Sequence, residues 1–350
     1  DLEGRFAMPG FIESHAHFTG VGAARMQLDL MKTTSWDEIV AMVAEAASKA
    51  KPGEWITGRG WHQEKWTRPP EPAVEGFPTH ELLSRAAPDN PVFLTHASGH
   101  ASIANAKAMQ LAGITRATPS PRGGEILKDA KGAPIGVFRE TGDALLESAL
   151  RQAREARSAE EIEAELDRQV ELADLEFLSK GITTVHDAGA SFETVERYKR
   201  FAEAGRLGVR LYVMLNESNE SLAANASKYR MVDAAGGHLT VRAVKRLADG
   251  ALGSRGAWLL EPYADAPSTG LNTYPIDQLA ETARIAAAND LQLCVHAIGD
   301  RANRETLDVY ESAYKEAGRK DMRWRVEHAQ HIAAEDIPRF GALGVIPSMQ

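Results

Sequence analysis

Short apolar runs alternate with amphipathic stretches along most of the chain, and this alternation predicts the order of its elements. Runs of strand length cover seven segments: residues 8–17, 181–188, 209–215, 239–248, 291–298, 323–329 and 345–349. Stretches with helical spacing lie between them, and four have clear start signals: Ser35-Trp-Asp-Glu38, Ser158-Ala-Glu-Glu161, Pro275 and Asp300. We predict that these four helices end before Pro52, at Gly181, at Ala288 and at Ala317.

The predicted fold class is α/β. Strands that alternate with helices of about 10–20 residues indicate β/α units around a parallel sheet. Seven strands precede the end of the chain, and an eighth would close a (β/α)8 TIM-like barrel, for which about 250 residues are typical. A doubly wound open sheet is the competing architecture, but no G-x-G-x-x-G sequence follows the first strand to support it. We therefore expect a TIM-like barrel that stops before strand 8.

Residues 53–145 break the β/α rhythm. They are rich in proline and glycine, and we interpret them as an insertion that covers one mouth of the barrel. The barrel itself would then comprise residues 8–52 and 146–350.

Residue 1 is Asp rather than Met, and the last strand-like run has only begun when the chain reaches Gln350. We expect further pieces beyond both ends, so localisation is left unassigned, with cytoplasmic and exported proteins both open.

Composition narrows the class of protein. Apolar residues make up 43% and charged residues 25%, which is ordinary globular usage and excludes disordered and collagen-like chains. No stretch approaches the roughly 20 apolar residues that a membrane span needs. The single cysteine, Cys294, excludes an internal disulfide and a cysteine-based zinc knuckle. Forty basic and forty-nine acidic residues give a net charge of −9, which argues against a nucleic-acid-binding surface.

Four histidines end three of the predicted strands. His15 and His17 stand two residues apart in the first strand, so their side chains share one face. His296 and His328 each end a later apolar run. One histidine in such a place is more often a hydrogen-bonded core residue, but four at the strand ends of one barrel indicate a metal site. Imidazole is the commonest metal ligand, and no cysteine competes with it. We expect the four rings to converge.

Other residues keep two interpretations on sequence alone. Strand alternation places Lys245 on one face with Ala243 and Leu247. It is either a lysine that reaches an edge or pairs with Asp249, or a desolvated amine that captures CO₂ as a carbamate. Trp61 and its neighbouring tryptophans form either an aromatic wall above the site or the insertion's own core. His100 either contacts substrate or is an ordinary loop histidine. Cys294 lies one strand step deeper than His296, which favours buried packing.

Together these segments resemble the amidohydrolase superfamily. The motifs that carry the resemblance are Pro9-Gly-Phe-Ile-Glu-Ser-His-Ala-His, Gly181-Ile-Thr-Thr-Val-His-Asp-Ala-Gly, Val244-Lys-Arg-Leu-Ala-Asp-Gly-Ala-Leu-Gly-Ser-Arg255, Val295-His-Ala-Ile-Gly-Asp-Arg-Ala302, Val326-Glu-His-Ala-Gln, Ser98-Gly-His100 and Gly136-Val-Phe-Arg-Glu140. They are most similar to the amidohydrolase family 3 branch, which includes N-substituted formamide deformylases and many uncharacterised metal-dependent hydrolases. The resemblance covers nearly the whole chain.

The resemblance implies a ligand set. His15 and His17 would be ligands from the first strand, Lys245 a carbamate from the fourth, and His296 and His328 ligands from the fifth and sixth. The superfamily's general-base aspartate on the eighth strand would fall beyond Gln350, so no catalytic residue is assigned within this chain. The β-sandwich that family members build from both termini would survive only as a remnant at residues 1–7.

The predicted function is hydrolysis of a non-peptide carbon–nitrogen bond by water activated on one or two divalent metal ions, with zinc as the favoured ion. Predicted substrate contacts are His100, Trp61, Asp249 and Asp300. Ester, lactone or deaminase chemistry on the same scaffold stays open, as does a catalytically inactive binding protein. The expected partners are a small-molecule substrate and, as an open option, a second copy of the chain in a homodimer; nucleic acid and membrane are not expected.

Overall fold

The structure is a computed structural model that describes residues 3–4, 6–97, 99, 101–121, 124–252, 256–264, 267–318 and 321–349. Its contacts divide the chain into two compact units. The first unit comprises Asp1–Gly22 and Val170–Gln350, and the second comprises Ala23–Gln169. Among the helices described, none is long and apolar enough to span a bilayer.

The elements are numbered in chain order. The strands are β1 (Phe11–Ala16), β2 (Leu28–Asp29), β3 (Ile56–Trp61), β4 (Ala73–Val74), β5 (Phe77–Pro78), β6 (Val92–His96), β7 (Ala101–Ala104), β8 (Gly124–Lys128), β9 (Pro134–Glu140), β10 (Ile182–Ala190), β11 (Arg210–Leu215), β12 (Met231–Asp233), β13 (Leu239–Leu247), β14 (Gln292–Ala297), β15 (Arg325–His328) and β16 (Ile346–Ser348). The α-helices are α1 (Phe18–Arg25), α2 (Trp36–Lys49), α3 (Glu81–Ala86), α4 (Ala106–Leu111), α5 (Ala144–Glu155), α6 (Ala159–Ser179), α7 (Phe192–Glu203), α8 (Asn219–Tyr229), α9 (Ala234–Gly237), α10 (Ile276–Ala288), α11 (Asp300–Ala317) and α12 (Ile337–Leu343).

The first unit is built on a mostly parallel, nearly closed barrel sheet. Its strand order is β1-β10-β11-β13-β14-β15-β16, every neighbouring pair is parallel, and the short β12 pairs antiparallel with β13. The order follows the chain without the reversal that a doubly wound sheet requires, so the barrel prediction is confirmed at this level and the open-sheet alternative is wrong. All seven predicted strands are present. The eighth strand stays a prediction.

Side chains alternate between two cores in this unit. The larger core lies between the sheet and its helices and includes Val213, Val241 and Val295, which are fully buried. The opposite face of the sheet carries a small cluster of Ala188, Met214, Ala243 and Cys294 inside the barrel. Because successive strand residues point to opposite faces, the next inward position on β13 after Ala243 is Lys245. The predicted buried packing of Cys294 is confirmed.

The second unit has a sheet that the sequence did not predict. Its strand order is β2-β3-β6-β7-β9-β8, with β2, β3 and β6 parallel and the rest antiparallel. Glycine interrupts the apolar pattern where the backbone requires it. Gly136 in β9 has φ +91°, and a Cβ there would lie 2.5 Å from the carbonyl oxygen of Ala104. Because glycines interrupt the strands, and because some strands are only two residues long, the pattern of apolar positions does not predict this sheet.

The second unit extends further along the chain than the predicted insertion of residues 53–145, from Ala23 to Gln169. The first β/α pair after residue 22 belongs to the second unit rather than to the barrel, because its apolar face packs there. Leu28 of β2 pairs with Gly58 of β3, and Ile39 and Val43 of α2 are fully buried in this unit's core. The predicted remnant of a β-sandwich at residues 1–7 forms no strand among its described members, residues 3, 4, 6 and 7.

Candidate metal centre

The four predicted histidines lie in one continuous chain of ring contacts at the carboxyl ends of β1, β14 and β15. Ring centroids are 5.9 Å apart for His15 and His17, 4.8 Å for His15 and His328, and 4.6 Å for His296 and His328. Within the described ranges, no three His, Cys, Asp or Glu side chains already stand in an arrangement that could hold a metal ion. The rings are therefore gathered at one place, and a closed ligand set would need a donor of another type or a rotation of the rings.

His15 is held by a buried carboxylate. Its Nδ1 lies 2.6 Å from Oε2 of Glu327, and the two side chains are 9% and 0% exposed. A carboxylate oxygen only accepts hydrogen bonds, so the ring donates from Nδ1 and its Nε2 is left for another partner. Burial alone would raise the pKa of Glu327, but the hydrogen bond from His15 and the charge of Arg325 lower it below its usual value. The carboxylate therefore stays ionised.

Arg325 is the cation that faces Glu327, and it is itself buried. Its Nη2 donates to Glu327 Oε2 at 2.9 Å, to the carbonyl oxygen of Ser14 at 2.8 Å and to Ser348 Oγ at 2.8 Å. Its Nη1 donates to His186 Nδ1 at 2.9 Å. Burial together with the Arg325 charge lowers the pKa of His186 to about 4, so this ring is neutral and accepts the bond. The Arg325 guanidinium thus forms hydrogen bonds with residues of four strands: β1, β10, β15 and β16.

A left-handed backbone at the end of β15 brings His328 to the site. Strand alternation would send His328 to the face opposite Glu327. The structure instead gives His328 φ +71° and Ala329 φ +43°, values that non-glycine residues seldom adopt. This turn brings the His328 ring beside His15 and His296. Unusual backbone of this kind persists where the surroundings hold it and often marks a functional site.

His296 is positioned by the turn that follows β13. Its Nε2 lies 3.3 Å from the carbonyl oxygen of Gly250 and 3.5 Å from Asp249 Oδ1. Burial and the neighbouring His328 lower the pKa of His296 to about 4, so the ring is neutral at ordinary pH. Because Nε2 faces the turn, Nδ1 is the nitrogen available to another ligand.

Asp249 anchors the loop after β14, and its contact with substrate stays a prediction. The residue is 1% exposed, and both carboxylate oxygens accept backbone hydrogen bonds. Oδ1 accepts from Ile298 N–H at 3.0 Å, and Oδ2 accepts from Gly299 N–H at 2.8 Å and Trp258 N–H at 2.9 Å. Because backbone donors already occupy both oxygens, Asp249 shapes the site without lining it.

His17 follows β1 directly, and a second buried carboxylate fixes the chain beside it. Asp187 Oδ1 accepts from the backbone N–H of Phe18 at 3.0 Å, and Asp187 Oδ2 accepts from the Tyr198 hydroxyl at 2.7 Å. Burial raises the pKa of Asp187 to about 6 against these hydrogen bonds. Burial also lowers the pKa of His17, as does the charge of Lys245, so the neutral ring is favoured.

Lys245 lies inside the barrel beneath the histidines, as the inward alternation predicted. It is 2% exposed and pairs in register with Cys294 of β14. Burial lowers the pKa of Lys245, while the nearby Glu327 carboxylate acts in the opposite direction. The charge of Lys245 in turn lowers the pKa of both His17 and His296. The amine therefore belongs to the same electrostatic site as the four rings.

Three further residues are predicted to contact substrate: Asp300, His100 and Trp61. Asp300 begins α11, and its Oδ1 accepts from the backbone N–H groups of Leu260 and Arg301 at 2.8 and 2.9 Å. His100 lies outside the described residues. Trp61 is fully buried in the core of the second unit, and its Nε1 donates to the carbonyl oxygen of Leu94 at 3.0 Å. Trp61 therefore lies in this segment's own core, and its contact with substrate stays a prediction.

We expect Trp61→Ala to lower the free energy of unfolding by about 3–5 kcal/mol, the usual cost of removing a fully buried aromatic side chain. Urea denaturation of the variant, followed by circular dichroism, measures this change. Leu111→Ala on α4 is the control, because Leu111 is 52% exposed and should change the stability little. An equally stable Trp61→Ala protein with an altered substrate preference would favour the substrate-contact interpretation over the core.

Three functional side chains escaped the sequence reasoning. Glu327 and Arg325 share the inward face of β15, two residues apart, and Asp187 follows His186 within β10. The sequence does contain a signal for Glu327 and Arg325. Charged residues at alternate positions of an otherwise buried strand seldom lie inside a protein unless they are paired. Their partners on β1 and β10 are more than a hundred residues away, so spacing could not reveal them.

The whole chain, residues 1–350, matches the sequence model of a family described as the amidohydrolase family. It is 32% identical to Protein LONG AFTER FAR-RED 3 of Arabidopsis thaliana over 100% of this chain and 59% of that protein. It is 29% identical to N-substituted formamide deformylase of Arthrobacter pascens over 99% of this chain and 62% of that protein. The chain thus spans about three fifths of the length of these curated relatives.

A solved structure shares the fold. The crystal structure of an uncharacterized metal-dependent hydrolase from Pyrococcus furiosus superposes with a TM-score of 0.70 at 28% sequence identity. The match covers 99% of this chain and 65% of that one.

Proposed function

The chain belongs to the amidohydrolase family, and from this premise we propose that it carries the metal site of a hydrolase that cleaves non-peptide carbon–nitrogen bonds. The observation that supports this most is the continuous contact of four imidazoles at the strand ends, above a buried lysine. Similarity to the Pyrococcus protein, a metal-dependent hydrolase, supports the dependence on metal. Similarity to the Arthrobacter relative, an N-substituted formamide deformylase, supports an amide-type bond.

The donor atoms present fit a divalent metal ion. Burial lowers the pKa of His17 and His296, so both rings offer a lone pair without first losing a proton. The Glu327 carboxylate occupies Nδ1 of His15, and the Gly250 carbonyl faces Nε2 of His296, so one nitrogen of each ring stays available. Imidazole-rich sites without cysteine suit zinc well, and we propose one or two zinc ions held by His15, His17, His296 and His328.

Lys245 is proposed as the fifth ligand, in the form of a carbamate. Four neutral imidazoles leave the charge of a divalent ion unbalanced in a buried site, so an anionic donor is needed. Asp249 is the other candidate on this segment, but backbone N–H groups occupy both of its oxygens. Burial lowers the pKa of Lys245, which favours the unprotonated amine that reacts with CO₂.

Bound ions would supply two things: a water molecule whose pKa is lowered from its bulk value toward about 7, and a polarised substrate carbonyl. The chain's own residues prepare the place where this happens. The left-handed turn at His328 and Ala329 brings one ring to the site, and Asp249 holds the loop that follows His296. Asp300 and His100 stay proposed contacts for a small-molecule substrate, and the general-base aspartate beyond Gln350 and the homodimer stay predictions.

The proposal is tested on the full-length protein, expressed with zinc and bicarbonate. We expect one to two equivalents of metal per chain and hydrolysis of at least one member of a panel of N-formyl, N-acyl and cyclic amides. Removing the metal with a chelator should abolish turnover, and adding zinc should restore it. Turnover of esters or lactones alone would replace the amide assignment. A folded, metal-free protein that hydrolyses none of these compounds would favour the inactive binding protein.

A further inference from the structure

We infer that Glu327, held in place by Arg325, is a positioning residue that fixes the tautomer and orientation of His15 for metal binding. The inference rests on the proposed metal site and adds to it two residues that are not ligands. Metal-binding histidines usually donate their second N–H to a carboxylate or carbonyl, and loss of that partner typically weakens metal binding by about 10–100-fold.

The geometry of the pair leaves only one sense for the hydrogen bond. Glu327 Oε2 lies 2.6 Å from His15 Nδ1, and the carboxylate is fully buried. A buried carboxylate between a guanidinium and an imidazole accepts from both, so Nδ1 carries the proton. In a neutral ring the Nε2 atom then carries the lone pair that a metal ion requires.

The sheet alone does not fix His15, which is why a side chain is needed. Among the strands described, β1 stands at one edge of the barrel sheet and β16 stands at the other. The register of β1 against β10 is irregular between Glu13 and Ala16, the segment that contains His15. Backbone pairing therefore holds this part of β1 less firmly than it holds the interior strands.

Hydrogen bonds from Arg325 hold this part of β1 in place. It donates to the carbonyl oxygen of Ser14 on β1 and to the hydroxyl of Ser348 on β16, both at 2.8 Å, and so bonds to both edge strands. The same guanidinium donates to Glu327 Oε2 at 2.9 Å, and its Nε forms an ion pair with Oε1 at 2.7 Å that lacks hydrogen-bond alignment. The position of Glu327, and through it that of His15, is set by contacts across the barrel interior.

These contacts also argue against Glu327 as a metal ligand. Oε2 already accepts from His15 and Arg325, and Oε1 faces Arg325 Nε. A carboxylate with both oxygens turned toward cationic and N–H donors has little left to offer a metal ion.

Two variants of the full-length protein test the inference. Glu327→Asp keeps the charge opposite Arg325 but is one methylene too short to reach Nδ1, so it should fold. Glu327→Gln keeps the length and removes the charge. For both we expect the zinc dissociation constant, measured by competition with a chromophoric chelator, to rise about 10–100-fold. Glu335→Gln is the matched control, because Glu335 is 69% exposed in its ion pair with Arg304 and should leave zinc binding unchanged.

A spectroscopic readout separates positioning from a general structural role. Nitrogen-15 NMR of the metal-free protein should show His15 protonated at Nδ1 in the wild type and shifted toward the Nε2–H tautomer in Glu327→Asp. The inference is overturned if wild-type His15 is the Nε2–H tautomer, or if both folded variants bind zinc within twofold of the wild type. If the wild type binds no metal, the proposed function fails instead, and the tautomer measurement still decides whether Glu327 positions His15.

Discussion

Lys245→Ala should lose the bound metal and reduce hydrolysis by several orders of magnitude while the protein stays folded. The side chain is 2% exposed inside the barrel, and its charge lowers the pKa of His17 and His296, so it lies within the site that the rings form. Without it, four neutral imidazoles would face a divalent ion with no anionic donor among them. Metal content by plasma mass spectrometry and turnover of the best amide substrate give the two measurements.

A short-chain carboxylic acid should restore part of the activity of Lys245→Ala. The variant vacates the space of an aminobutyl chain, and an acid such as propionate can place a carboxylate where the carbamate is proposed to lie. Lys245→Met is the matched control, because it keeps most of the packing and offers neither an amine nor a space for the acid. We expect Lys245→Met to be inactive and not rescued.

Two outcomes of this experiment would argue against the carbamate. If Lys245→Ala keeps its full metal content and turnover, an anion already present must balance the charge. If the acid restores Lys245→Met as well, the rescue does not depend on the vacated space.

The barrel could be predicted because its strands are short apolar runs that alternate with amphipathic helices. The helices Ile276–Ala288 and Asp300–Ala317 coincide with the predicted residues, since their start signals are local. Convergence of the four histidines followed from topology, because the carboxyl ends of parallel strands meet at one end of a barrel.

The site's finer geometry depends on backbone and on long-range pairs, neither of which a pattern contains. No residue type in Val326-Glu-His-Ala indicates positive φ at His328 and Ala329, yet this turn determines the direction of the His328 ring. The pairing of Glu327 with His15 joins residues 312 positions apart. Trp61 kept two interpretations on sequence alone, and its complete burial places it in the core of the second unit.

Asp249 gives a graded prediction about stability, because its two oxygens carry unequal numbers of hydrogen bonds. Asp249→Ala leaves three backbone N–H donors without their acceptor: those of Ile298 and Gly299, which are buried, and that of Trp258, which is partly buried. Each unsatisfied donor costs about 1–3 kcal/mol, so the loss should take a large part of the protein's stability. Asp249→Asn can keep its oxygen at the position that accepts two of these bonds, and it should lose only the third, from Ile298.

Denaturant unfolding and metal content, measured on both variants, separate anchoring of the loop from ligation of a metal. If Asp249 anchors the loop, the free energy of unfolding falls in the order wild type, Asn, Ala, and the Asn variant keeps its metal. If Asp249 were a ligand, Asn would lose the metal at little cost to the stability of the metal-free protein, because an amide is a far weaker donor than a carboxylate. Asp321→Ala is the control, because its side chain is 74% exposed and the free energy of unfolding should change by no more than about 0.5 kcal/mol.

The anchoring role also predicts a change in amide hydrogen exchange. In Asp249→Ala the backbone N–H groups of Ile298 and Gly299 lose their acceptor, so exchange at these two residues should accelerate before exchange in the interior of β14 does.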